Sequence, residues 1–236
     1  MNRATQASES VELALFLSLS GGVMDAYSYL VRGKVFANAQ TGNMLLLGVN
    51  LSQGDWGRCI HYLFPVLFFA LGIALAHNTK LIFRPRHLHW RQVALAVEIA
   101  LLCIVAALPE SLNLLANSLT SLACGMQVQS FRKLHGNAFA TTMCIGNLRS
   151  GMQSMVTYAH TRKRRHLETG LLYYFVIVSF VLGAVLGNWL IAPLGPRMIL
   201  VSPVLLAVAF GIMFVDREKR GREDRKIAAR RIKARR

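Results

Sequence analysis

Charged residues are scarce in this chain, and acidic residues are scarcer than basic ones. Only 16% of the 236 residues are charged, and 54% are hydrophobic. An average soluble domain carries roughly 25% charged residues. There are 27 Lys and Arg but only 11 Asp and Glu, which gives a net charge of +16. The low charge argues against an ordinary soluble domain, and the long apolar runs predict a multispanning membrane protein.

The chain also lacks the motifs of metal sites and of common enzymes. Its four cysteines have neither zinc-site nor redox-pair spacing, and they lie in or beside apolar segments: Cys59, Cys103, Cys124 and Cys144. It contains no H-E-x-x-H, G-x-S-x-G or P-loop sequence. We therefore expect no metal, no cofactor and no enzymatic activity, and we interpret the cysteines as small buried hydrophobic residues.

Six apolar runs approach the roughly 20 residues that a helix needs to cross a bilayer. They cover residues 11–31, 60–77, 93–108, 112–131, 171–191 and 198–215. Two further segments, 38–51 and 138–158, are each interrupted by a Gly-Asn pair. Each interrupted segment follows one apolar run and precedes two, so the order of elements is the same in both halves of the chain.

The two interrupted segments belong to an internal repeat. G-K-V-F-A from Gly33 resembles G-N-A-F-A from Gly136, and G-N-M from Gly42 resembles G-N-L from Gly146. Internal symmetry of this kind is found in many transporter folds. We predict a first repeat at 1–108, a second repeat at 109–215 and a basic tail at 216–236.

The distribution of basic residues separates two possible topologies. They cluster in 80–91, in 162–165 and in the tail, where 217–236 holds eleven Lys or Arg. If both interrupted segments crossed the membrane fully, the 80–91 cluster would lie outside, against the positive-inside rule. If each segment enters and leaves on the same side, six spans result and both termini are cytoplasmic, with Arg32 and Lys34 as a residual misfit outside.

The second arrangement is the one that we predict. The fold class is then an all-α membrane protein with six transmembrane helices, arranged as two inverted three-helix repeats. Each repeat carries a re-entrant or broken helix at its Gly-Asn motif, and the two breaks enter from opposite faces of the membrane.

These motifs resemble the YoaK family of bacterial inner-membrane proteins. The resembling sequences are G-G-V-M-D-A-Y-S-Y-L at 21–30, F-A-N-A-Q-T-G-N at 36–43, and G-M-Q, A-T-T and G-N-L at 125–127, 140–142 and 146–148. The resemblance covers roughly residues 13–215. It implies a six-span protein of the bacterial inner membrane and brings no established substrate. The second copy departs from the T-G-N pattern at 41–43, because it has Ile145 at the position that corresponds to Thr41.

Polar residues in and near the two interruptions form the predicted binding site. Irregular backbone at membrane depth needs protein or water as a partner, so two mirrored breaks predict a shared polar site near the midplane. Helices restarting after the Gly-Asn pairs would offer free N–H groups to anions or polar oxygens, unless side chains cap them internally. The residues predicted to bind solute are Asp25, Asn38, Thr41, Asn43, Gln127, Thr142 and Asn147.

Three charged residues within the apolar segments have two interpretations each. Asp25 is either a relay or solute contact, or a helix-end carboxylate where two glycines break the first helix. Glu98 either pairs with a group in the cavity or with Arg149, or reaches toward the interface near Arg91. Arg149 either attracts an anion in the cavity or extends to the cytoplasmic headgroups.

The architecture favours a transporter or channel for a small polar or anionic solute, by analogy from fold to function. We expect the lipid bilayer and this solute as partners, and a second copy of the chain packed through Gly183 and Gly187. We expect no nucleic acid, because the basic tail has no aromatic residue for base stacking. The alternative is a non-transporting scaffold or sensor whose tail binds lipid or a partner, and a lipid-modifying enzyme ranks third.

Overall fold

The computed structural model describes residues 10–82, 89–134 and 137–213, and nearly all of them are helical. The helices are α1 Val11–Leu30, α2 Gln40–Ser52, α3 Trp56–Ile82, α4 Trp90–Ala107, α5 Asn113–Ser130, α6 Cys144–Thr161, α7 Arg164–Leu194 and α8 at 201–213. Short 3-10 turns cover Glu110–Leu112 and Gly195–Leu200, and β1 (Lys133–Leu134) pairs antiparallel with β2 (Asn137–Ala138). The predicted tail at 216–236 lies outside these ranges.

The prediction of an all-α membrane protein is confirmed. Within the described ranges, four helical stretches have the length and apolar composition to cross a bilayer: Val11–Leu30, Trp56–Ile82, Trp90–Ala107 and Arg164–Met213. The last of these contains both α7 and α8. Helix α5 is not among the four, because its buried face carries polar residues such as Asn117, Ser121 and Gln127. The arrangement as six spans in two inverted repeats stays a prediction.

Local sequence explains where several helices begin and end. The Ser10 side chain accepts a hydrogen bond from the N–H of Leu13 at 3.2 Å and caps α1. His89 and Gln92 form a reciprocal capping box at the start of α4, which satisfies N–H groups that have no partner within the helix. Helix α6 ends at Arg162, which adopts the left-handed conformation that commonly terminates helices.

Helices α1 and α7 cross with their backbones in contact. A Cβ atom added to Gly22 would overlap the carbonyl oxygen of Phe180, and one added to Gly183 would overlap that of Leu19. Only glycine allows helices to approach this closely.

The crossing of α3 with α5 is built in the same way. A Cβ on Gly72 would overlap the carbonyl oxygen of Leu122, and one on Gly125 would overlap that of Phe69. Gly22 and Gly125 occupy corresponding positions in the two halves of the chain. The first helix of each half therefore packs, through an equivalent glycine, against the long helix of the other half.

The predicted contact between two copies of the chain meets an obstacle at Gly183 and Gly187. Gly183 lies against the backbone of α1, and Gly187 faces Ala26 and Met198. Both glycines are buried within a single chain. The small face of α7 is thus already used to pack α1, so it offers no free surface for a second copy.

Arg32 is not the exposed positive charge that the topology argument assumed. It is 0% exposed and donates hydrogen bonds from Nε to the Tyr27 hydroxyl at 2.6 Å and from Nη2 to the Leu108 carbonyl at 2.7 Å. Its Nη1 donates to the Pro109 carbonyl at 2.9 Å and to Asn113 Oδ1 at 3.0 Å. Arg32 therefore closes the C-terminal end of α4, where free carbonyls favour a cation, and it does not violate the positive-inside rule as a loop charge would.

Candidate solute-binding site

The link between α1 and α2 turns at residues 31–34 and continues as a non-helical segment, residues 35–39, which we call the first extended segment and which Asn43 holds in place. The Asn43 side-chain oxygen accepts from the N–H of Phe36 at 3.0 Å, and its Nδ2 donates to the Phe36 carbonyl at 2.7 Å. The Nδ2 group also donates to Gln40 Oε1 at 2.8 Å. The amide thus satisfies both backbone groups of Phe36, which secondary structure would otherwise satisfy.

Asn147 makes the same pair of bonds in the second half of the chain. Its Nδ2 donates to the Ala140 carbonyl at 2.6 Å, and its side-chain oxygen accepts from the N–H of Ala140 at 3.3 Å. In both halves the asparagine follows the glycine of the Gly-Asn motif and reaches back seven residues, here to Ala140 in residues 139–143, which we call the second extended segment. Asn43 and Asn147, which were predicted to bind solute, therefore use their side-chain amides to hydrogen-bond the backbone of the extended segments.

Both extended segments meet α1 at Gly21. The Asn38 Nδ2 donates to the Gly21 carbonyl at 3.2 Å, and a Cβ atom on Gly21 would lie only 2.6 Å from the Thr142 methyl group. Asn38 belongs to the first segment and Thr142 to the second. The two extended segments therefore both contact α1 at this glycine, and a shared solute site at the two interruptions stays a prediction.

Gln127 of α5 reaches the same face of α1 one turn earlier. Its Nε2 donates to the Leu17 carbonyl at 3.0 Å and to the Thr141 hydroxyl at 3.1 Å. Leu17 and Gly21 are about 6 Å apart along the helix axis at 1.5 Å per residue. Residues Asn38, Gln127, Thr141 and Thr142 thus form one cluster beside α1, which we call the central cluster.

Asp25 lies one turn beyond Gly21 on the same face of α1 and completes the central cluster. Its Oδ1 accepts from the backbone N–H of Asn38 at 2.8 Å, and the residue is half-buried. Helix α1 continues through Gly21 and Gly22 without a break. The interpretation of Asp25 as a carboxylate at a helix end is therefore wrong, because it lies within the helix and holds the first extended segment.

The structure does not bring Thr41 or Arg149 into the central cluster, since both are exposed on their helices. Glu98 is 1% exposed, so it does not reach the interface. Within the described part of the chain, neither of its oxygens has a hydrogen-bond partner, and it makes no ion pair with Arg149 or Arg91.

Cys124 lies beside the central cluster and is not among the residues predicted to bind solute. Its thiol is fully buried and donates to the sulfur of Met24, the residue that precedes Asp25 on α1, at 3.6 Å. The repeat offset of about 103 residues places Cys124 opposite Gly21. The same alignment that matched the Gly-Asn motifs therefore contained the signal for this residue.

Three buried side-chain oxygens in the central cluster have no hydrogen-bond partner among the described residues: Asn38 Oδ1, Gln127 Oε1 and Thr142 Oγ1. Their residues are 1%, 0% and 4% exposed. The amide orientations of Asn38 and Gln127 follow from their partners, because a backbone carbonyl accepts only from the NH2 group. Both amides consequently turn an acceptor oxygen, not a donor, toward unfilled hydrogen-bonding positions.

Apolar helices on the outside and a buried polar centre define the class of this chain as a polytopic α-helical membrane protein. Large hydrophobic side chains such as Leu45, Ile145 and Trp189 are exposed on the helix surfaces, as expected for residues that face lipid. In a soluble protein, exposed apolar surface of this extent would be a liability.

Residues 13–212 match the family DUF1275, described as a protein of unknown function, and the chain belongs to this family. It is 26% identical over 227 residues to the UPF0700 transmembrane protein YoaK of Bacillus subtilis (strain 168). The alignment covers 91% of this chain and 97% of that relative. The predicted resemblance to the YoaK family is thereby confirmed. No solved structure matches the chain.

Proposed function

We propose that this protein is a transporter or channel that carries a small polar solute across the bacterial inner membrane. The solute binds in the central cluster, between α1, α5 and the two extended segments. One observation carries the proposal: Asn38, Gln127 and Thr142 each bury a side-chain oxygen that no residue in ranges 10–82, 89–134 and 137–213 hydrogen-bonds. Each such group destabilises the folded protein by about 1–3 kcal/mol, so we expect the cluster to bind water or a solute.

The proposal includes six spans in two inverted repeats, with both termini in the cytoplasm. Three paired features support the repeat: the bonds of Asn43 and Asn147, the helix crossings at Gly22 and Gly125, and the meeting of both extended segments at Gly21. In transporters built from inverted repeats, the substrate lies near the midplane where discontinuous helices meet. Most basic residues of the loops then face the cytoplasm.

The anionic solute considered from sequence has less support than a neutral or cationic one. The helix starts at Gln40 and Cys144 have no side-chain cap, which was one reason to expect an anion. However, Arg149 is exposed, and the partners identified for the central cluster include Asp25 but no basic side chain. We therefore retain a polar solute in the proposal.

Access of water to the central cluster tests this function. We would replace all four cysteines with alanine, introduce Thr142→Cys, and treat the protein in membranes with a charged, membrane-impermeant thiol reagent. Because Thr142 faces Gly21 and Cys is similar in size to Thr, the variant should fold. Ala123→Cys is the matched control, since Ala123 is equally buried on α5 and belongs to the hydrophobic core.

Transport predicts that the cysteine at position 142 reacts and that the one at position 123 does not. A scaffold or sensor requires no water-filled centre, so both cysteines would stay protected. Protection of both, in a protein that retains its thermal unfolding transition, would contradict the proposed function.

A further inference from the structure

The unpartnered atoms of the central cluster share one chemical character. Gln127 uses both N–H groups of its amide, on the Leu17 carbonyl and the Thr141 hydroxyl, and Asn38 uses one on the Gly21 carbonyl. The unpartnered atom of each amide is its oxygen, which can only accept, while the Thr142 hydroxyl can accept or donate. With the Asp25 carboxyl beside them, the two amide oxygens favour a ligand that supplies donors or positive charge, because an anion would meet oxygen lone pairs.

Two carboxyl groups lie near these oxygens. Asp25 accepts a backbone hydrogen bond from Asn38 at 2.8 Å. Glu98 lies between Leu95 and Leu102 on the buried face of α4, and both leucines belong to the same hydrophobic core cluster as Met24 and Cys124. Carboxylate, amide and hydroxyl oxygens are the ligands that hard cations prefer.

Among the residues that the structure describes, none gives the Glu98 carboxyl a hydrogen bond or an ion pair. Helix α4 packs against α5, α3 and the 195–200 turn. On this side of α4 the buried or half-buried titratable groups include Cys124 of α5, in the same core cluster as Leu95 and Leu102, and Asp25 of α1, which follows Met24 of that cluster. On α3 and on the turn, His77, Lys80 and Arg197 are exposed. A buried carboxylate with neither a cation nor a hydrogen-bond donor is too costly, so Glu98 carries its proton in this arrangement.

We propose that the central cluster binds a small monovalent cation in exchange for the proton of Glu98. This inference rests on the proposed function and deepens it by naming the class of solute. When the cation reaches the oxygens of Asn38, Gln127 and Thr142, the Glu98 carboxyl releases its proton to water and its carboxylate balances the incoming charge. One positive charge enters and one leaves, so the net charge of the buried centre is unchanged.

Thermal unfolding of the purified full-length protein in lipid nanodiscs tests the class of ligand. At constant chloride concentration, choline is replaced by sodium, potassium, ammonium or methylammonium, which separates inorganic ions from protonated amines. In a second series, choline is kept and chloride is replaced by sulfate, phosphate or acetate. We expect one of the cations to raise the Tm by about 5 °C or more at a hundredfold excess over its Kd, and the anions to leave it unchanged.

Two variants and a control locate the effect. Asp25→Asn keeps the acceptor for the Asn38 N–H and removes the charge, and Glu98→Gln changes a carboxyl that has no partner, so both should fold. Both should lose the Tm shift, whereas Glu12→Gln, an exposed acid on the first turn of α1, should keep it. In weakly buffered solution, the cation should acidify the medium with the unmodified protein but not with Glu98→Gln.

The inference is overturned if none of the four cations raises the Tm, if an anion does so, or if Asp25→Asn and Glu98→Gln retain the full shift. The comparison of cations with anions on the unmodified protein decides the question even if a variant does not fold. Reaction of Thr142→Cys without any cation effect would overturn the cation inference and leave the transport function standing.

Discussion

Replacing Arg32 tests whether its buried guanidinium stabilises the C-terminal end of α4 by donating hydrogen bonds to the carbonyls there. In Arg32→Ala, four hydrogen bonds are lost, to Tyr27, Leu108, Pro109 and Asn113. Each bond contributes about 1 kcal/mol net, and water can reach the exposed Pro109 carbonyl, so the loss is about 3–4 kcal/mol. For a chain of this size each kcal/mol corresponds to roughly 2–4 °C, which gives a fall in Tm of about 10 °C.

The assay is thermal unfolding in detergent, followed by intrinsic tryptophan fluorescence. Lys34→Ala is the matched control: Lys34 carries the same charge two residues later, but it is exposed and its ammonium group lies over the ring of Tyr29, while its backbone hydrogen bond to Tyr29 is kept in the variant. Its loss should change the Tm by about 2 °C or less, as for an exposed cation–π contact. Equal Tm values for Arg32→Ala and Lys34→Ala would refute the assignment of a structural role to the buried guanidinium.

Further substitutions test the repeated features of the two halves. Gly22→Ala and Gly125→Ala each place a methyl group against a backbone carbonyl, so each should cost about 1–3 kcal/mol, measured as a fall in Tm. Gly48→Ala, where no described atom lies within 4 Å of the added methyl group, should instead stabilise α2 slightly. A fall in Tm for only one of Gly22→Ala and Gly125→Ala would contradict the equivalence of the two helix crossings. Asn43→Ala and Asn147→Ala should each increase hydrogen exchange in the extended segment preceding the asparagine, because its braced backbone groups lose their partner. Unchanged exchange in both segments would show that other contacts hold them.

Periodicity and composition were sufficient to predict the elements of the fold. Apolar runs of 16–21 residues correspond to helices because a bilayer requires that length, and the Gly-Asn pairs fall at the starts of α2 and α6. The partners of Asn43 and Asn147 were not predictable from composition. A reach of seven residues depends on the extended path of the intervening backbone, which no local propensity determines.

Side-chain direction limited the prediction of the site. Thr41 and Thr142 both lie next to an interruption, but successive residues of a helix differ by about 100° in direction. Thr41 is already in the first turn of α2 and faces outward, whereas Thr142 still lies in the extended segment and faces Gly21. Arg32 was misjudged for a related reason. Its partners at Leu108 and Pro109 are more than 70 positions away, so only tertiary structure reveals them.

The crossing of α1 with α7 has a consequence for biosynthesis. Neither half of the chain can enclose its own first helix, because α1 is covered by α7 and α5 by α3. About 130 residues separate the end of α1 from the start of α7, and a ribosome needs roughly 7–26 s to add them. Throughout that interval the glycine face of α1 lacks its final neighbour, so the nascent chain must rely on lipid, the insertion machinery or a chaperone until its last third emerges.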